Sequence, residues 1–208
     1  MKCPLCSSPS NHFYTQKHRE FYFCTTCFSV FLDTKNYLTE SEEKKHYTFH
    51  NNDVNDPGYQ QFASPVVKAV LNDFTPENSG LDFGSGTNSV IVKLLKDQKY
   101  NIIEFDPFFS NNPKVLEKKY DYITCCEVIE HFHHPFKEFQ KLHDLLKTGG
   151  KLICMTDFFS ETQNFDTWYY KNDHSHVFFY HPKTMEWITK NIGFSSYTIE
   201  GRVTVFER

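Results

Sequence analysis

Nine residues constrain this chain more than any others: Leu81-Asp82-Phe83-Gly84-Ser85-Gly86-Thr87-Asn88-Ser89. An apolar run enters the stretch, and two glycines sit one residue apart. Val90, Ile91, Leu94 and Leu95 then recur at helical spacing. A strand, a glycine turn and a helix form a unit whose backbone approaches a ligand closely and whose helix start offers free N–H groups. Such units belong to parallel sheets with helical crossovers.

The chain around it keeps that alternation. Ser64 reads as the N-cap and Pro65 as the first position of a preceding helix, with Val66, Val67, Val70, Leu71 and Phe74 inward. Gly80–Phe83 is the first strand of the unit and Tyr100–Phe105 the second. Only 14 residues separate Asp106 from Asp121, so the third unit is reduced to a loop and a short strand near Val115-Leu116. Tyr120–Cys126 is nearly continuous and apolar after Asp121, as a buried parallel strand should be. Pro135–Leu146 reads as a helix with Phe136, Phe139, Leu142, Leu145 and Leu146 inward. Lys151–Thr156 is a strand, and a polar, aromatic loop follows over Asp157–His176. Pro182–Ile192 is a helix, and Tyr197–Glu200 with Val203–Phe206 closes the chain as a hairpin. The fold class expected is α/β, with a Rossmann-like, seven-stranded, mostly parallel sheet ending in an antiparallel hairpin.

Asp82 indicates what the glycine turn serves. A carboxylate two residues before the first glycine has no use beside a pyrophosphate, but it suits a ligand with a cationic part. S-adenosylmethionine (SAM) is such a ligand. Asp106-Pro107 lies 24 residues after Asp82, at the tip of the second strand, where a carboxylate can accept from both ribose hydroxyls. An Asp-Pro turn former is the plainer alternative for that residue. The third glycine of the usual dinucleotide motif is replaced by Ser89. One of Cys125 and Cys126 is expected to face the cofactor.

The N-terminal fifty residues carry a second signal. Cys3-Pro4-Leu5-Cys6 and Cys24-Thr25-Thr26-Cys27 are C-x-x-C pairs with 17 residues between them. Two such knuckles close a tetrahedral four-thiolate site, and zinc is the expected metal. Phe13, Tyr14 and Phe21–Phe23 read as a short hairpin packed on the knuckles. Seven cysteines, four of them in these pairs, fit metal binding in a reducing compartment. Buried thiols without metal are the alternative. The domains expected are a zinc ribbon over 1–35, a linker over 36–63 and a SAM-binding domain over 64–208. Glu40, Glu42 and Glu43 with Lys44 and Lys45 read as a solvated helical face, and the stretch from Tyr47 to Tyr59 as a lid or a packed linker.

At LDFGSGTNS, EFDP, YDYITCCEVIEHF, LLKTGGKLICMT and DHSHVFFYHPKTMEWITKNIGF the chain resembles the class I SAM-dependent methyltransferases, especially the quinol and small-metabolite branch. With its four-cysteine ribbon and HNNDVNDPGY stretch it looks like a bacterial subfamily of such enzymes. The resemblance implies a seven-stranded sheet and methyl transfer from SAM. It puts Asp82, Gly84 and Gly86 around the methionine part, Asp106 on the ribose, and Cys126 and Glu127 beside the cofactor, with Ser85 and Pro107 also expected to bind it.

Methyl transfer needs an aligned acceptor and, for a hydroxyl, amine or activated carbon, a base. His176, after the aromatic loop, is the first candidate; a histidine that only packs on the sheet is the alternative. Glu130-His131, just past the fourth strand, is the second candidate, against a pair that merely fixes the loop. His133 and His134 read as exposed. Net charge is −4, with 22 Lys and Arg against 26 Asp and Glu, and a nucleic-acid binder usually shows a basic face. No apolar run approaches a membrane span, and a cytoplasmic location is expected. A small-molecule acceptor is therefore the expected partner. An RNA methyltransferase reading substrate through the ribbon, and a non-catalytic SAM- or protein-binding module, are the alternatives.

Overall fold

A computed structural model describes residues 1–48 and 53–208. Strands β1 (Asn11–Gln16), β2 (Arg19–Phe23) and β3 (Val30–Leu32) come first, then helices α1 (Glu40–Thr48) and α2 (Pro57–Asp73). The chain continues as β4 (Ser79–Phe83), α3 (Val90–Asp97), β5 (Asn101–Phe105), β6 (Tyr120–Cys126), α4 (Pro135–Leu145) and β7 (Leu146–Met155). It ends with β8 (Phe178–Phe179), α5 (Pro182–Ile188), β9 (Ser196–Glu200) and β10 (Val203–Glu207). Six strands form the main sheet in the order β5-β4-β6-β7-β10-β9. The first four run parallel, and β10 pairs antiparallel with both β7 and β9.

The expected seventh strand is absent among the described residues. Pro113–Glu117 is a 3-10 helix opened by Pro113, with the Asn112 side chain accepting from the Lys114 N–H at 3.3 Å. Val115 is its only buried residue, so five residues that turn cannot also extend beside β5. A second correction concerns α2, which begins at Pro57 with Asp56 as N-cap, its carboxylate accepting from the Tyr59 N–H at 2.7 Å. Pro65 lies inside the helix. It cannot donate to the Gln61 carbonyl, and the Ser64 hydroxyl does so instead at 2.8 Å. Ser64 therefore repairs a helix interior and caps no start. The lid candidate is divided: Tyr47 lies in the last turn of α1, Tyr59 in the first turn of α2, and residues 49–52 lie outside the described residues.

Helices α2 and α3 cover one face of the sheet with Val66, Val70, Ile91 and Leu95 on Tyr122 and Ile153. The other face packs Phe139, Leu142 and Phe206 and runs without a break into the N-terminal hairpin. Phe136, expected inward, is 38% exposed. The hairpin is not a free appendage. β3 pairs with β8, giving an antiparallel sheet β1-β2-β3-β8, and Phe21, Val30 and Phe31 share a core cluster with Phe165, Phe178 and Phe179. No described helix is long and apolar enough to cross a membrane.

Candidate active site

A cleft of about 780 Å³ opens at the C-terminal ends of β4, β5 and β6, where open α/β sheets bind ligands. The glycine turn forms its floor. Gly84 and Gly86 have φ of +79° and +65°, and a Cβ on Gly84 would stand 2.6 Å from both Val128 methyls. Ser85 lines the cleft with a buried hydroxyl that has no partner among the described residues.

Asp82 sits behind this turn and does not line the cleft. It accepts from Ser89 Oγ and Thr124 Oγ1, each at 2.6 Å, and so ties the N-cap of α3 to β6 through the turn. Burial pushes its carboxyl up to about 6, against those two hydroxyls. These two bonds give Asp82 a bracing role within the turn. Asp106 and Pro107 do line the cleft. The Asp106 carboxylate accepts from the N–H groups of Gly86 (2.9 Å), Phe108 (2.8 Å) and Phe109 (3.1 Å). It is both the turn former and a cleft residue, with acceptor capacity left on its oxygens.

The opposite end of the cleft is titratable. Cys126 lines it, whereas Cys125 is fully buried beside Cys154. Glu127 has φ of +53°, an uncommon left-handed backbone at a strand exit. Both its oxygens receive Arg202 Nη2 at 2.8 Å, and Tyr170 Oη donates at 3.3 Å. Burial and the neighbouring Glu130 push the Glu127 carboxyl up to about 7 against the pull of Arg202. Glu130 is fully buried, accepts from Thr156 Oγ1 at 3.0 Å and from the Tyr170 hydroxyl, and burial pushes it to about 7 as well.

His176, 7% exposed, donates from Nδ1 to the Tyr170 carbonyl at 2.8 Å. That bond fixes the tautomer and leaves the lone pair on Nε2. Nε2 lies 3.9 Å from Glu130 Oε1 and 3.9 Å from Asp173 Oδ2. Burial, reinforced by His131, pushes the imidazole down to about 3. His131 donates from Nδ1 to the Ser175 carbonyl at 3.1 Å, with the Tyr47 hydroxyl also at 3.1 Å, and burial lowers it too. Ligand-type atoms of Glu130, His131 and His176 lie within 4.8 Å of one another. The fold thus brings together the three candidates for the base, on segments 45 residues apart. Both Glu130 oxygens already accept hydroxyls, and its Oε1 stands 3.9 Å from His176 Nε2, beyond hydrogen-bond distance.

Arg202 and Glu43 line the cleft without having been expected there. Arg202 comes from the β9–β10 turn. Glu43, expected on a solvated face, and Tyr47, from the lid-or-linker stretch, stand one helical turn apart and put a face of α1 on the cleft wall. Glu43 meets His133 Nε2 at 2.9 Å, so His133 is half-buried and not exposed. The i, i+4 spacing of Glu43 and Tyr47 was the available signal; nothing in the spacing marks Arg202.

Away from the cleft, the Cys3 and Cys27 sulfurs lie 3.5 Å apart and those of Cys6 and Cys24 3.4 Å, with all four within 4.8 Å. The two knuckles repeat one geometry. Ser7 N–H donates to the Cys3 carbonyl at 2.9 Å and Phe28 N–H to that of Cys24 at 2.8 Å, with φ of +60° and +59° at Ser7 and Phe28.

The family of methyltransferase domains matches residues 58–198. No curated protein matches the sequence. Among solved structures, the chain is similar to the 1,6-didemethyltoxoflavin-N1-methyltransferase of Burkholderia thailandensis with bound 1,6-didemethyltoxoflavin and S-adenosylhomocysteine. Identity is 12% and the TM-score 0.58 over 95% of this chain and 98% of that one. A SAM-dependent methyltransferase from Archaeoglobus fulgidus gives 18% and 0.55 over 68% of this chain and 72% of that one. An O-methyltransferase family protein from Burkholderia thailandensis gives 12% and 0.55 over 79% of this chain, which spans 61% of that protein's length. At such identities the likeness is one of fold.

Proposed function

The chain belongs to the methyltransferase domain family, and from that premise we propose that it transfers the methyl group of SAM to a small-molecule acceptor. One observation carries the reading. A single cleft holds a glycine turn beside Asp106 at one end and a buried, neutral His176 beside Glu130 and His131 at the other.

The residues fit the cofactor. Gly84, Ser85, Gly86 and Asp106 all line the cleft, the buried Ser85 hydroxyl has no partner among the described residues, and Asp106 keeps spare acceptor capacity. Gly84, Ser85 and Gly86 would hold the methionine part, Asp106 and Pro107 the ribose, and Cys126 and Glu127 would wall the sulfonium. SAM supplies an electrophilic methyl group for an in-line displacement. The chain aligns the acceptor and removes its proton. His176 Nε2 takes that proton. Its Nδ1 is held by the Tyr170 carbonyl, so the Nε2 lone pair is the acceptor, and the carboxylates of Glu130 and Asp173, each 3.9 Å from Nε2, would stabilise the imidazolium that forms. Glu127 and Arg202 close the site as a neutral pair. Tyr59, Phe62, Tyr169 and Tyr170 offer ring faces to the acceptor.

Cys3, Cys6, Cys24 and Cys27 would hold a structural zinc. A tetrahedral ion with Zn–S of about 2.3 Å sets its sulfurs roughly 3.8 Å apart, close to the spacing seen here. Four thiolates leave no open position, so this ion takes no part in the reaction.

Calorimetry with SAM tests the cofactor half. A hydrogen bond to a charged group contributes about 1.5–3 kcal/mol, so losing two from the ribose in Asp106→Ala lowers affinity by roughly 10²-fold or more. Unchanged affinity sinks the placement. His176→Asn tests the acceptor half: SAM affinity stays while turnover on an acceptor panel falls about 10²–10⁴-fold. Salt-sensitive methylation of RNA by the wild-type chain would overturn the small-molecule reading.

A further inference from the structure

Arg19 is a charged residue in the N-terminal hairpin, yet it is only 5% exposed. Among the described residues it has no carboxylate within ion-pair distance. Its guanidinium donates instead to three backbone carbonyls of one loop: Lys171 at 2.7 Å from Nη1, and Asp173 at 3.3 Å and His176 at 3.4 Å from Nη2. The Phe21 ring lies 5.2 Å beneath it. Burying a cation against carbonyls alone is costly, and the planar fork of an arginine is the side chain that reaches several acceptors at once. The loop it grips carries His176 and Asp173. Neighbouring bonds point the same way: Gln16 Nε2 donates to Asn172 Oδ1 at 3.1 Å, and Leu32 N–H to the Val177 carbonyl at 2.9 Å.

We propose that Arg19 is a positioning residue of the acceptor site, through which the cysteine-bearing hairpin sets the conformation of the 171–176 loop and the tautomer of His176. The inference rests on the reading of His176 as the base. It gives the hairpin a purpose inside the reaction centre, where an external recognition module would need a free face. The grip on the Lys171 and His176 carbonyls holds the loop ends. The Tyr170 carbonyl, one residue before the gripped segment, then stays aligned with His176 Nδ1.

Nitrogen NMR of the His176 ring tests this on the full chain. The groups facing that ring are His131, Tyr170, Glu130, Asp173 and Arg19 itself. In the wild type the ring stays neutral with Nδ1 protonated through the neutral range. Arg19→Ala is expected to expose the ring, so that it titrates near the ordinary imidazole value of about 6.5, and to speed exchange of the 171–177 amides. SAM affinity stays as in the wild type. Arg19→Lys keeps the charge and loses the fork, which separates geometry from field; it is expected to show the same tautomer loss. Guanidinium ion at low millimolar concentration restores the wild-type ring signals of Arg19→Ala, and methylammonium does not. Wild-type ring signals and amide protection in Arg19→Lys overturn the proposal, also where Arg19→Ala fails to fold. If His176→Asn keeps full turnover while Arg19→Lys loses the tautomer, the base reading fails and the clamp stands. The reverse pair of results removes the clamp and leaves the base.

Discussion

Glu130→Gln changes one atom in the middle of the site, and its effect has a sign fixed by burial. The wild-type carboxyl is fully buried and pushed up to about 7, against roughly 4.3 in an unfolded chain. Below about pH 4 both states hold the proton, and this group costs nothing. As pH rises from about 4 to about 7, the unfolded chain ionises first, so the folded state loses ground. At 1.36 kcal/mol per unit, a shift of between two and three units amounts to about 3 kcal/mol of stability lost over that range. Glutamine cannot ionise and escapes the loss. It presents an amide where a carboxyl oxygen accepted Thr156 or Tyr170, which costs on the order of 1 kcal/mol at every pH. The variant is therefore expected to be slightly weaker than wild type near pH 4.5 and more stable by about 2 kcal/mol near pH 8. Removing the Glu130 charge also relieves Glu127, whose carboxyl it pushes up, and this adds in the same direction. Urea unfolding of both proteins across that range measures the difference. A difference that does not change with pH, or that moves toward wild type as pH rises, refutes the account of a carboxyl strained by burial.

Three further outcomes are expected. Gly84→Ala must take φ of +79° and put a methyl 2.6 Å from Val128; the left-handed backbone alone costs about 1–2 kcal/mol, and both the melting temperature and SAM affinity should fall. A variant with wild-type melting and affinity would show that the turn relaxes freely. Metal analysis should find about one zinc per chain, reduced in Cys3→Ser and Cys24→Ser; a metal-free, well-folded preparation would contradict the four-thiolate site. Asp82→Asn should keep the turn's shape but weaken the bond to Ser89 or Thr124, lowering stability by about 1–3 kcal/mol with SAM affinity changed only secondarily. A large affinity loss without destabilisation would return Asp82 to direct ligand contact.

Much of the fold was legible because it is written in local pattern. Apolar runs and 3.6-residue spacing placed β4, α3, β6, α4 and the closing hairpin. Boundaries failed where one residue type serves two ends. Ser64-Pro65 carries the chemistry of a helix start, and only the continuing chain shows that the hydroxyl repairs the bond Pro65 removes. Val115-Leu116 is apolar enough for a strand, but Pro113 and Asn112 turn it into a 3-10 helix. For the site, Glu130, His131 and His176 were legible as residue types with proton chemistry near strand ends. Their meeting was not.

By itself the sequence determined the parallel sheet, the glycine turn, the acidic residue at the next strand tip and two cysteine knuckles, because each depends on neighbours within one turn or one strand. Tertiary structure alone decided that Asp82 faces inward to Ser89 and Thr124, that Arg202 neutralises Glu127, and that a buried arginine from the hairpin holds the loop of His176. Apart from the local Ser89 bond, those roles come from burial and from contacts across 42 to 157 residues of chain. Desolvation, which turns an ordinary carboxyl or imidazole into a poised one, leaves no mark in local spacing.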